Sequence, residues 1–393
     1  MQIIKRIFRF IRGRKRGRIA LWIILSLFII SLLAPFIAND IPLVCSSKNG
    51  IEFPVLSKLW NGSSQYSDAC TWTVKPLIPY SQKSIDIQNG RFASPLEEQV
   101  VSSLRYRHWL GTDALGRDSL AGLLYGSGIA LRIGLFAALI AFLIGIFIGT
   151  ASGYFGNNSL KLNFVQLIIL FLCVLLLGYQ LSFGFFFGYE KDSMWEVGAS
   201  IIILLSGTIG FSKTQNLLQQ NIRFPLDNIV LWIFEVYKSI PNIFFILVLL
   251  SIFAKPGITS LVLTIAFVIW PIIGRYTRAE ILKLKEEDFI KSAETSGASS
   301  WNIITKHLLL NAIGPALVSF AFSFSAAILL EASLSFLGLG LAVEEVSWGS
   351  MLSEVKNNYR AWWLALFPGL AIFLVISALN YIGELIGEYF DQN

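Results

Sequence analysis

Side chains able to do chemistry on their own are scarce in this 393-residue chain, which has two histidines, His108 and His307, and three cysteines, Cys45, Cys70 and Cys173. No Cys-x-x-Cys or Cys-x-x-His spacing joins them, so neither a metal scaffold nor a redox pair is expected. A Gly-x-x-x-x-Gly-Lys phosphate loop is absent as well, and the dipeptide Gly-Lys does not occur. Any nucleotide chemistry would therefore belong to a partner.

The composition accounts for that scarcity. Hydrophobic residues make up 55% of the chain and charged ones 14%, with a mean hydropathy of +0.65. That is too little polar surface for a water-soluble globule of this size, so the chain reads as an integral membrane protein. The net charge of +6 is concentrated at one end: Lys5, Arg6, Arg9, Arg12, Arg14, Lys15, Arg16 and Arg18 face no acid within 1–18, and the other 375 residues sum to −2. A basic arm beside an apolar run is a topology signal and not a nucleic-acid surface.

A bilayer core of about 30 Å needs roughly 20 apolar residues in a helix. Such runs are expected over 19–38, 129–150, 164–187, 229–253, 258–276, 312–330 and 362–382. A weaker one over 195–211, with Gly198, Gly207 and Gly210, suits a tilted or re-entrant segment. The first reads as a retained signal anchor, because it continues through Pro35 and Phe36 without a small-x-small cleavage site. Residues 39 to about 107 are polar to mixed, with no apolar run long enough to cross, and are expected to form a loop or small domain. If all eight runs cross, both termini share a side; 17 Lys and Arg lie in 1–18, 154–161, 212–228 and 275–310, against four in the short segments opposite. The first set is therefore expected in the cytoplasm and 39–128 outside. There Cys45 and Cys70 either close a disulfide loop or are two small apolar side chains. Cys173 lies in a span and is expected to pack.

Residues 278–311 are too charged to cross. Ile281, Leu284, Phe289 and Ala293 recur at helical spacing, apart from Lys283, Lys285, Glu286, Glu287 and Asp288. Gly297, between Ser296 and Ala298, predicts a turn between two short helices, with small side chains that let another protein approach. The stretch KSAETSGA at 291–298, followed by Leu308, Leu309 and Leu310, resembles the EAA loop of ATP-binding-cassette (ABC) importer permeases. That loop reads E-A-A-x-x-x-G-A and then I-x-L-P; here Lys291 replaces the family's Glu and Leu310 its Pro. HWLGTDALGRD at 108–118, EASLSFLGLG at 331–340, SWGSML at 347–352 and ALFPG at 365–369 resemble signatures of dipeptide, oligopeptide and nickel importer permeases of the C type. The resemblance covers about 108–156 and 226–388, a little over half of the chain.

The resemblance implies an all-α membrane protein, a type I permease bundle of six core transmembrane helices, with 157–225 as an inserted helical hairpin. In that scheme 1–38 is the basic arm and first helix, 39–128 the external region, and 129–156 with 226–388 the core bearing the loop 278–311. It also implies that Glu287, Asp288, Phe289, Lys291, Ser292, Ala293, Gly297, Ala298, Ser299 and Trp301 belong to a coupling helix that docks on an ATPase subunit. Expected partners are a second permease of the B type, two ABC ATPases that bind ATP and Mg, an extracytoplasmic substrate-binding protein and membrane lipid. No cofactor or metal is expected in this chain. The implied role is a non-enzymatic transport subunit of a bacterial inner membrane, importing di- or oligopeptides by alternating access; nickel and glutathione permeases share the pattern. An ion-driven secondary transporter would instead want an internal repeat and midplane acids, and the sequence offers neither.

Single residues carry competing readings. Gly111, Thr112, Asp113, Gly116, Arg117 and Asp118 either meet the binding protein or serve structure, with Thr112 or Asp113 capping the helix into 129–150 and Arg117 paired to an acid. Glu331, followed by Ser333, lies near the outer end of a span and either lines the pathway or bonds to backbone or to Trp348. Glu235 and Lys238 suit an i,i+3 pair before a kink at Pro241. Arg132 is expected to snorkel outward, His307 to sit at the interface, and Trp362 and Trp363 to anchor there.

Overall fold

The computed structural model describes residues 2–47, 50–61, 70–157, 161–163, 221–252, 257–341 and 345–392. The runs expected over 164–187 and 195–211, and with them nearly all of the 157–225 insertion, lie outside the described residues.

Helices dominate. α1 (Gln2–Gly13) and α2 (Lys15–Ile37) lead to β1 (Val44–Ser47), β2 (Gly50–Glu52), α3 (Pro54–Asn61) and β3 (Trp72–Val74). α4 (Ser119–Phe155) is followed by β4 (Lys161–Asn163) and β5 (Asn221–Arg223), which pair antiparallel. Then come α5 (Leu226–Ser239), α6 (Asn242–Ile252), α7 (Ile258–Lys285), α8 (Asp288–Thr295) and the single turn α9 (Ser300–Asn302). A π-helical segment, Ile303–Leu308, runs into α10 (Leu309–Phe336), and α11 (Trp348–Glu354) and α12 (Trp363–Asp391) close the chain.

Five described stretches are long and apolar enough to cross a bilayer: α2, α4, α7, Ser300–Phe336 and α12. α5 and α6 qualify only as a pair, bent by 98°. The run expected over 229–253 is thus broken at Pro241, where the sequence places a kink. This proline has no N–H to continue α5, and its carbonyl instead starts α6 by accepting from Phe244 and Phe245. α4 begins at Ser119, well before the expected 129, and its 37 residues extend about 56 Å at 1.5 Å each.

The 39–118 region is more ordered than a loop. β1 is the central strand of an antiparallel sheet in the order β2-β1-β3. Cys45 sits on it, opposite Glu52 and Thr73, and forms a disulfide with Cys70 at a Cα separation of 5.7 Å.

The described chain forms two compact units, one of Met1–Phe142, Pro256–Trp270 and Gly314–Asn393, the other of Leu143–Lys255 and Pro271–Ile313. In the first, Trp348, Trp363, Ile328, Val375 and Leu379 share a core. The basic arm belongs to this unit as a folded helix: Ile7 and Ile11 of α1, one turn apart, bury against Leu385 of α12, and Arg14 pairs with Glu388 at 2.6 Å. In the second unit Tyr154, Ile281, Leu284, Ile290, Ile303 and Leu308 form the core. There Gly145, Gly149 and Gly153 of α4 give α7 its close approach; a Cβ at Gly149 would stand 2.5 Å from the Gly274 carbonyl oxygen and 2.9 Å from Thr277 Cβ.

Candidate functional site

The 278–311 segment folds as helix, turn and helix. α7 ends at Lys285, whose ammonium donates to the Tyr154 carbonyl at 2.8 Å. The turn through Glu286 and Glu287 shifts the helical phase, so α8 buries Ile290 and leaves Phe289 41% exposed; of the apolar face expected from spacing, Ile281, Leu284 and Ala293 pack inward and Phe289 does not. α8 closes in a Schellman motif: Ala298 N–H donates to the Ala293 carbonyl, Gly297 N–H to that of Glu294, and Gly297 takes φ +77°. Ser299 then caps the next turn by accepting the N–H of Asn302.

This geometry sorts the expected coupling residues. Ala293 and Ala298 turn inward onto the core of Ile281, Leu284 and Ile290. Glu287, Asp288, Phe289, Lys291, Ser292, Gly297, Ser299 and Trp301 face outward, Trp301 with 72% of its surface exposed. Lys291 reaches Glu286 at 3.5 Å with both side chains exposed, so this pair adds at most about 1 kcal/mol. The outward face therefore holds two large aromatic side chains around a ledge of small residues, and no Cβ at Gly297 would meet another atom within 4 Å.

A strut missed in the sequence anchors the base of this segment. Arg278 grips Asp227 with two hydrogen bonds, Nε to Oδ1 at 2.5 Å and Nη2 to Oδ2 at 2.6 Å, and Ser152 Oγ donates to the same Oδ1 at 2.5 Å. It ties the ends of α4 and α7 to the start of α5. The residues are 51 and 75 positions from Asp227, so no local pattern could reveal them.

The 108–118 signature folds into a buried knot. His108 is wholly buried, with Nδ1 2.8 Å from Asp118 Oδ2, Nε2 3.3 Å from Asp86 Oδ2, and Tyr80 stacked on its ring at 4.2 Å. Thr112 Oγ1 donates to the Asn89 carbonyl and accepts from Ala93 N–H. Asp113 accepts from the N–H groups of Leu115 and Arg117 and pairs with Arg117 Nε at 2.5 Å. The cap of α4 is Asp118, which accepts Ala121 N–H at 2.7 Å; neither Thr112 nor Asp113 fills that role. Gly111 and Gly116 turn at φ +75° and +86°, and a Cβ at Gly116 would run into the Asp86 carbonyl.

The knot is tied to α12 and, through α4, to α11. Trp363 is 3% exposed and its indole donates to the Thr112 carbonyl at 3.1 Å, so it is a buried strut and only Trp362, 42% exposed, is placed as an anchor would be. Trp348 donates to the Leu123 carbonyl and makes no bond to Glu331. Glu331 is fully buried and accepts from Ser335 Oγ at 2.7 Å, while Ser333 is exposed and bonds back to Leu329. Arg132 Nε satisfies the Gly128 carbonyl one turn back, and the His307 carbonyl accepts from Asn311. Among the described residues Glu235 and Lys238 form no ion pair; the Glu235 carbonyl accepts from Ser239 Oγ.

Several helices of membrane-crossing length and hydropathy define a multi-pass helical membrane protein. Residues 217–393 match the family described as binding-protein-dependent transport system inner membrane component. The chain is 28% identical over 97% of its length to the inner membrane ABC transporter permease protein YejE of Escherichia coli, covering 95% of that protein. It is 26% identical over 98% of its length to the peptidoglycan transport system permease protein YejE of Agrobacterium fabrum, covering 92% of it. Over 80% of its length it is 28% identical to the dipeptide transport system permease protein DppC of Alkalihalophilus pseudofirmus, covering 79%. Residues 217–393 thus carry the domain of this family, and along most of its length the chain is similar to proteins named as ABC transporter or peptide transport permeases.

Proposed function

We propose that this permease imports short peptides across a bacterial inner membrane, with both termini in the cytoplasm and 39–118 outside. The names of its relatives, which speak of dipeptide, peptide and peptidoglycan transport, support that cargo class. The observation that carries the mechanism is the outward face of α8 and α9: Phe289 and Trp301 flank a small-residue ledge closed by Gly297, a shape suited to insertion into a groove on an ATPase. ATP and Mg then bind on two partner ATPases, a second permease completes the pathway, and an external binding protein delivers the peptide. Closure of the ATPases pulls on 278–311, and the struts at Asp227 and Tyr154 pass that displacement into α4, α5 and α7.

Two measurements test this. Affinity purification in mild detergent is expected to recover ATPases with wild type and to lose them with Gly297→Asp, which strains a left-handed backbone position, and with Trp301→Ala, which removes only an exposed side chain. ATPases absent from every preparation would overturn the coupling assignment. Uptake of labelled di- and oligopeptides, but not of nickel or glutathione, is the expected cargo result; the reverse would overturn the peptide reading.

A further inference from the structure

We propose that the groove bounded by α1, α2 and α4 is a binding site for an anionic phospholipid, whose headgroup is held by Arg12 and Arg18. The groove encloses about 1110 Å³, above the ~300–1,000 Å³ of an ordinary small-molecule pocket. Trp22, Leu25, Phe28 and Leu32 of α2 and Leu135 and Phe136 of α4 form its walls, each at least 39% exposed. Arg12 and Arg18 line the same groove from α1 and the first turn of α2.

Two observations choose the occupant. The walls belong to helices of membrane-spanning length and hydropathy, so lipid hydrocarbon is what bathes them. Among the described residues the charge is largely unanswered: residues 1–18 carry eight cations and no acid, and only Arg14 of that set has an ion-pair partner there. A guanidinium held at the mouth of an apolar groove matches a phosphate with paired N–H donors. A zwitterionic lipid also offers a phosphate, but its own ammonium cancels that charge, and an apolar helix of another protein offers none; a headgroup of net negative charge is what balances Arg12 and Arg18. The site is independent of which solute the permease carries.

The test uses the purified full-length chain in phosphatidylcholine nanodiscs doped with phosphatidylglycerol carrying a photoreactive acyl chain, in parallel with the same probe on phosphatidylcholine. The phosphatidylglycerol probe is expected to label peptides from α2 and the 128–136 part of α4 roughly tenfold more than the phosphatidylcholine probe. Arg12→Ala with Arg18→Ala should remove that preference, whereas Arg9→Ala with Arg16→Ala, which deletes the same charge outside the groove, should keep it. Equal labelling by both probes, or a preference that survives the Arg12 and Arg18 changes, overturns the site. Loss of labelling by both probes when a second permease subunit is co-expressed also overturns it, and assigns the groove to a protein contact.

Discussion

Burial alone would drive His108 towards its neutral form, but the carboxylates of Asp118 and Asp86 outweigh it and hold the imidazole above its ordinary pKa of 6.5. Asp86 shows the matching effect: burial pushes its carboxyl up, and hydrogen bonds from Asn89, His108 and Gln88 bring it below 3.8. Tyr80, stacked on the ring, is pushed up to about 12 by burial and by the same two carboxylates, so it stays neutral throughout. A raised histidine stabilises the fold fully below its ordinary value and loses that contribution as pH rises through the raised one; a depressed carboxylate contributes above its ordinary value and is lost on acidification. The knot is therefore expected to be firmest between about pH 4 and 6.5, and to loosen as the pH rises beyond that through the raised pKa of His108. Hydrogen exchange of the 86–118 amides, corrected for intrinsic rates, should show protection falling over the alkaline step in wild type and no such step in His108→Gln. Protection independent of pH in wild type would contradict the charge assignment. The signature itself was legible, because its residues are contiguous. Its partners were not: Asp86 lies 22 residues before His108, and the carbonyl that holds Trp363 belongs to Thr112, 251 residues away, so an aromatic pair at the head of an apolar run read as an interfacial anchor.

Between helices, small residues decide which faces meet. The row Gly145, Gly149 and Gly153 is visible in the sequence as small residues four apart, but α4 also carries Gly122, Gly126, Gly128 and Gly134, and nothing local names the partner helix. Gly149→Leu is expected to force α4 from α7 and cost about 1–3 kcal/mol or more, seen as a lower midpoint of thermal unfolding in detergent. Gly369→Ala in α12, where an added Cβ meets nothing within 4 Å, should leave the midpoint unchanged or raise it, since alanine is the better helix former by about 0.5–1 kcal/mol. Equal effects of the two changes would remove the packing argument. Prolines show the same limit of local reading. Pro35, Pro271, Pro315 and Pro368 sit inside continuous helices, while Pro241 ends one. Each removes one hydrogen bond, and only surrounding contacts determine whether the helix survives the loss.

Hydropathy made the multi-pass architecture legible over the described residues, because crossing a bilayer imposes one length and one composition on every span. The bonds through which a permease would transmit force are long-range and left no such trace. Asp227, Arg278 and Ser152 come from three helices, yet they tie the base of the 278–311 segment to α4 and α5. Asp227→Ala leaves a bidentate arginine without its acceptor. The expected cost is about 2 kcal/mol, below the ~3–5 kcal/mol of a fully buried pair because the side chains keep 18% and 12% exposure. If the loop transmits ATPase closure as proposed, the assembled transporter bearing Asp227→Ala should keep much of its ATP turnover and lose peptide uptake, since the loop still docks but no longer moves α5 with it. The charge swap Asp227→Arg with Arg278→Asp should recover part of the uptake that Asp227→Arg alone abolishes, which a requirement for the residues' shape would not predict. Uptake and ATP turnover falling in the same proportion would place the damage in assembly, and undiminished uptake in Asp227→Ala would show that force reaches the membrane helices by another route.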